Sequence, residues 1–229
     1  MSTARRAGAS APAPAASAAE PTHPAPWIAV VPPEEADGEL RATYDWQAAR
    51  RGKPTEFTQL GSLYPPLALE RLRLYKTVEA VPSRLSPRSR AYAAYVTSIL
   101  NRTRYCASGG RLKLLESGVE AGAVDRLAAE FEAVRAAVAG GAPIPAQLPA
   151  IGDERLDAIA AYALHLTLKP GAISAERVEA LRRAGLDDVD ILDTNNIVAY
   201  YNYVNRVANG LGLRHAIDDP AEALHALPA

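Results

Sequence analysis

The chain has 229 residues, 48% of them apolar and 22% charged, with a net charge of -1. This is ordinary globular composition, enough for one domain of moderate size or two small similar halves around a sizeable core. A charge near zero leaves no basic footprint for nucleic acid, and apolar runs such as Ile159 to Leu168 are too short and interrupted to span a bilayer, which argues against a membrane role.

Residues 1 to about 26 are rich in Ala, Pro and Ser. They carry too few large apolar groups to offset the entropy of ordering, and the segment reads as a disordered tail. Arg5 and Arg6 are followed by Ala, Pro and Ser rather than by a Leu-rich run. No secretory leader is read, and the cytoplasm is the expected compartment. Order is expected from Trp27-Ile28, and helical patterns then follow one another with Pro and Gly between them. Pro33 to Arg50 opens on Pro-Glu-Glu and sets Leu40, Tyr44 and Ala48 four apart. Pro65-Pro66 opens a helix through Val78. Ser86 is a cap and Pro87 a first helical residue for a helix carrying Tyr92, Tyr95, Val96 and Ile99. Further helices are expected over Cys106 to Glu116 and Val124 to Val138.

Gly140-Gly141-Ala-Pro-Ile-Pro145 is the clearest internal break. After it come Asp153 to Leu168, Ser174 to Ala184, and Asp187 to Asn209, closed by Gly210 and Gly212. The last helix is apolar on several sides, which predicts burial by other helices or other subunits. Its asparagines (195, 196, 202, 205, 209) are poor helix formers and predict buried hydrogen bonds, some of them between subunits. No stretch alternates with period two between hairpin turns, so the fold class is all-α. The expected organisation is a helical domain over 27–215, with possible halves 27–139 and 146–215, and a C-terminal tail over 216–229.

Cys106 is the single cysteine, so neither an internal disulfide nor a Cys-x-x-Cys pair exists. At the start of a helix its thiolate gains from the dipole, and Arg102 lies four residues before it; the plainer alternative is an inert buried thiol. Arg102, Arg104 and Arg111 surround it in sequence and suit either an acidic ligand or a solvated face. Ten tyrosines against two phenylalanines mark a bias toward rings with a polar tip, suited to an aromatic ligand, to acid catalysis or to helix packing. No two histidines have metal-ligand spacing, and no phosphate loop or nucleophile elbow is present, so no metal and no cofactor is expected.

Three stretches carry a family resemblance: Leu85 to Cys106, Leu181 to Asp193, and Ala199 to Leu213. Together they make residues 27 to 215 similar to the AhpD-like / carboxymuconolactone decarboxylase family, in its peroxidase-related branch. The resemblance implies an AhpD-like helical bundle, assembled as a trimer or hexamer. The family's redox members use a Cys-x-x-Cys pair, a His four residues after the second Cys, and a Glu one helix earlier. Aligned on Asn101 and Tyr105-Cys106, those positions hold Thr103, Cys106, Gly110 and Ala91. Only one of the four groups is retained, and a Thr hydroxyl cannot resolve a sulfenic acid. The resemblance therefore implies a diverged, cofactor-independent, non-redox enzyme acting on a small organic molecule. The alternatives are a non-catalytic ligand-binding oligomer and a single-cysteine alkylhydroperoxidase using Cys106. Catalytic candidates are Cys106, Tyr105 and Thr103; Tyr92, Tyr95, Gly110, Arg102 and Asn202 are candidates for contacting the substrate. The Ala- and Arg-rich composition suggests a bacterial source of high GC content.

Overall fold

The computed structural model describes residues 25–217. Of the expected tails over 1–26 and 216–229, residues 1–24 and 218–229 lie outside the described residues; Ile217, expected in the second tail, is buried against the bundle. Among the described residues the secondary structure is nine α-helices and two 3-10 turns, with no strand. The all-α expectation holds.

The helix expected from Pro33 is split. Pro33–Glu35 forms only a 3-10 turn, Ala36 and Asp37 are extended, and α1 (Gly38–Arg51) starts later. Tertiary packing wins here over the good first-turn chemistry. The break lets Val31 and Ala36 fold onto Leu40 and Tyr44 as a small core of their own, and the Tyr44 hydroxyl donates to the Val31 carbonyl at 2.8 Å. A short α2 (Glu56–Gln59), missed in the sequence, is capped by the Thr55 hydroxyl, which accepts from the Thr58 amide at 3.2 Å. Pro65 opens α3 (Pro65–Glu79). Ser86 caps α4 (Pro87–Leu100) through the Ser89 amide, with Pro87 at its first position.

Next come α5 (Arg104–Glu116) and α6 (Ala121–Ala139). Helix α6 starts three residues earlier than its apolar pattern, because the Glu120 carboxylate accepts from the Ala123 amide at 2.8 Å. After the Gly140-Gly141 break come α7 (Glu154–Leu168), α8 (Ala175–Arg183) and α9 (Asp188–Gly210). Helix α9 begins in a capping box between Asp187 and Asp190.

Helix α4 is the axis of the bundle and packs against α5, α6, α7 and α9. Ten of its fourteen residues are buried. Its alanines at 91, 93 and 94 let neighbouring backbones come close, and its buried Thr97 and Ser98 hydroxyls are satisfied by donating to carbonyls one turn back. One core runs from Tyr92 and Phe131 through Ile159 to Val198, spanning the segments on both sides of the glycine break. Each large side chain in it contributes about 1.5–3 kcal/mol by leaving water.

Two fully buried carboxylates lock α9 to the α3–α4 connection. Asp190 accepts from the Arg84 amide at 2.6 Å and pairs with Arg155 at 2.8 Å, and Asp193 pairs with Arg90 at 2.7 Å. Burial pushes the Asp190 carboxyl up, but hydrogen bonds from the Arg84 and Asp187 amides and the two guanidiniums bring it below its usual value. Asparagines of α9 bond within the chain. Asn202 accepts from Asn101 at 2.9 Å and donates to Thr167 at 3.1 Å, and Asn209 donates to the Asn101 carbonyl and to Thr103, both at 2.9 Å.

Candidate functional site

The site is built where α4 hands over to α5. The Arg102 amide donates to the Ile99 carbonyl at 2.9 Å and the Thr103 amide to the Ser98 carbonyl at 3.0 Å, the double closure of a Schellman turn. Such a turn needs one residue in the left-handed region, and here it is Arg102, with φ of 55°. Reversal at Arg102 places Thr103 as N-cap of α5 and Cys106 in its first turn.

Cys106 faces a small cavity walled by the rings of Phe57, Tyr75, Tyr105, Tyr200 and Tyr201, with Val204 and Ile217 closing it and Gly109, Gly110 and Lys113 completing the α5 side. The free space is about 30 Å³, room for roughly one water and well below the about 150 Å³ that accepts a benzene ring. A helix start favours a thiolate, but the aromatic enclosure dominates: loss of water pushes the Cys106 thiol up to about 12. Tyr200 and Tyr201 are raised for the same reason, beyond any useful acidity, and Tyr201 is hydrogen-bonded to Tyr75. The Tyr75 and Tyr200 rings lie 5.4 Å apart and the Tyr200 and Tyr201 rings 5.9 Å apart in an edge-on contact. At neutral pH the thiol and these two phenols keep their protons; they can donate hydrogen bonds but not abstract protons.

The structure brings three of the expected site residues, Tyr105, Cys106 and Gly110, to this cavity, and takes the others elsewhere. Tyr92 and Tyr95 are core residues behind α5, and the Tyr95 hydroxyl donates to the Val124 carbonyl at 3.1 Å. Asn202 is engaged by Asn101 and Thr167, as above. Thr103 and Arg102 line the opposite face of α5, where Arg102 meets Glu132 at 3.4 Å. Arg111 is held away by Asp125 at 2.7 Å.

Gly110 lines the cavity, but its missing side chain leaves no room there: a Cβ at Gly110 would lie 3.1 Å from both Cα and Cβ of Tyr95, so the glycine is where α4 and α5 come into close contact. Ala91, at the position aligned with the family's Glu, is buried in the core.

A carboxylate and an imidazole do meet near the site, from remote positions. His215 and Glu56 are 2.9 Å apart, and the His215 ring stands edge-on to Tyr105, with centroids 5.7 Å apart. Sequence reasoning missed this pair along with Phe57, Tyr75, Lys113 and Ile217. Tyr200 and Tyr201 stood out as part of the tyrosine bias, but their distance in sequence from Cys106 hid the meeting. Among the described residues no group of three or more His, Cys, Asp or Glu is placed to hold a metal ion, and no helix is long and apolar enough to cross a membrane.

No family model and no curated protein matches the chain. Solved structures do. The AhpD-core, peroxidase-related protein of Ralstonia eutropha JMP134 is 20% identical, with a TM-score of 0.67 over 86% of this chain and 95% of its own. A peroxidase-related protein of Silicibacter sp. TM1040 is also 20% identical, with a TM-score of 0.61 over 86% and 97%. A cysteine-to-alanine variant of the debrominase Bmp8, in complex with 2,3,4-tribromopyrrole, is 15% identical, with a TM-score of 0.59 over 86% and 96%. At such identities it is the architecture that is shared, and its helix order and near-complete coverage in both directions give this chain the AhpD-like helical fold.

Proposed function

We propose that the chain acts, without a cofactor or a redox thiol pair, on a small uncharged organic molecule bearing a hydrogen-bond acceptor, held in the cavity around Cys106. The observation that carries this is the convergence of the Cys106 thiol with Tyr200 and Tyr201 on one apolar cavity, all three held protonated by burial. Proton-holding donors in an enclosed apolar site polarise an acceptor strongly, because few waters can compete for them. A charged ligand would lose its hydration among five aromatic rings, with Lys113 the one charged side chain on the wall. The Bmp8 structure supports the class by analogy of fold: it holds a small halogenated aromatic ring. Assembly as a homo-oligomer belongs to the same reading and is supported by the exposed Leu63, Tyr64 and Leu67 around the start of α3 and Leu74 further along it.

One observation favours a second reading, a ligand-binding protein without turnover: the cavity's free space of about 30 Å³. A ring-sized ligand enters only if a wall of the cavity moves. The experiment is to titrate pyrrole and 2,3,4-tribromopyrrole into the protein while recording near-ultraviolet circular dichroism of the tyrosines, and to analyse the mixture for product. A saturable tyrosine signal lost in Tyr201→Trp, with product, supports the enzyme; the signal without product supports the second reading. No saturable signal with either probe contradicts both.

A further inference from the structure

Across α5 from the thiol lies a second, wider space. It is an open groove of about 680 Å³, lined by Arg102, Thr103, Arg104, Glu132, Asn209 and Arg214 among others. That volume is in the range of small-molecule sites. Its charge is one-sided, with three guanidiniums facing one carboxylate. Glu132 is moreover already held in a two-pronged pair by Arg135, both bonds 2.8 Å long, so Arg102 at 3.4 Å receives only a share of it. Arg104 has no side-chain hydrogen bond or ion pair among the described residues. Arg214 rests over the Trp27 ring at 4.6 Å and meets no carboxylate among them either. Thr103 and Arg104, at the start of α5, line the groove, and this helix start has no side-chain cap: the Thr103 hydroxyl accepts from Asn209 instead. Guanidinium groups and the positive end of a helix favour the same kind of ligand.

The backbone adds an independent observation. Arg102 occupies the left-handed position of the Schellman turn, which glycine takes without steric opposition. An arginine there works against its own backbone while delivering a guanidinium to the groove, and strain of this kind in a structure points to a use for the side chain.

We propose that this groove binds a small organic anion, its carboxylate or phosphate group held between Arg104, Arg214 and the start of α5, with Arg102 bridging it to Glu132. The site is separate from the thiol cavity, and each stands or fails without the other.

Trp27 lies directly under Arg214 and reports on it. In a Trp46→Phe background, Trp27 emission is followed while inorganic phosphate, benzoate and benzyl alcohol are added at low ionic strength. The same titrations are run on Arg104→Gln and Arg102→Gly, with melting temperature and particle mass recorded for each. The expected result is saturable binding of phosphate, benzoate or both, none of benzyl alcohol, and at least ten-fold weaker binding in Arg104→Gln. Arg102→Gly should bind more weakly while melting no lower than the parent, since its backbone is relieved. The relative strength of phosphate and benzoate assigns the anion class. Equal response to benzyl alcohol, no saturation with either anion, or affinity unchanged in Arg104→Gln overturns the proposal. So does a fall in particle mass in Arg104→Gln without any anion response, which would make the groove a contact between copies of the chain.

Discussion

Replacing Gly110 with alanine sets two effects of known size against each other. Glycine in a helix interior is worse than alanine by about 1 kcal/mol, so in a helix with room the change would stabilise. Here a Cβ would approach Tyr95 Cα and Cβ to 3.1 Å and its ring to 3.3 Å. Two of those three atoms are backbone or next to it. The ring is pinned at both ends, by α4 at its root and by the Val124 carbonyl at its hydroxyl. The neighbour therefore cannot swing away, and α4 and α5 must separate by a few tenths of an ångström along a packed seam. Overpacking of this kind costs about 1–3 kcal/mol. The net expectation is a loss of about 1 kcal/mol, or roughly 2–4 °C in melting temperature for a chain of this size. Chemical and thermal denaturation followed by far-ultraviolet circular dichroism measures it. A rise of a few degrees would refute the reasoning, because it would mean that the seam has slack and the space at Gly110 is available to a ligand. By the same geometry Gly110→His, which restores the family's imidazole in sequence, loses several times more stability and restores no activity.

Two further outcomes follow from the buried ionisable groups. The Cys106 thiol is raised from an ordinary value of 9.0 to about 12. Its alkylation by iodoacetamide in the folded protein should be slow at pH 8 and still rising above pH 10, against a plateau near pH 9–10 in denaturant. The folded value is the raised one, so the unfolded chain loses this proton first; the thiol's contribution to stability is complete below about pH 9 and drains away toward pH 12. Asp190→Ala removes the acceptor shared by the Arg84 amide and Arg155. Leaving those donors at a buried joint should destabilise by about 3–5 kcal/mol, measured as a drop in denaturant midpoint at constant slope.

Much of the fold was legible because local and tertiary signals agree along most of the chain. Ser86-Pro87 opens α4 where capping chemistry says it should, and the Gly140-Gly141 break falls between α6 and α7. Legibility failed where packing overrides propensity, as at Ala36, which turns out of the Pro33 helix to reach Leu40 and Tyr44. The site was legible only along α5. Cys106, Tyr105 and Gly110 are found there by position, but the partners that define the chemistry come from α2, α3, α9 and the segment after it. Phe57, Tyr75, Tyr201 and Ile217 lie between about 30 and 110 residues away, and nothing in local pattern encodes such a meeting. Tyr95 was attractive by proximity, yet one helical face turns it into the core, and the same periodicity sends Thr103 and Arg102 to the groove on the other side.

The measurement that bears most directly on the central claim is turnover of cumene hydroperoxide with dithiothreitol as reductant, by the native protein and by Cys106→Ser. A protonated, enclosed thiol with Thr103 in place of a resolving partner predicts no turnover above the reductant's own rate in either protein. Turnover by the native protein that vanishes in Cys106→Ser would contradict the account and make Cys106 a redox thiol.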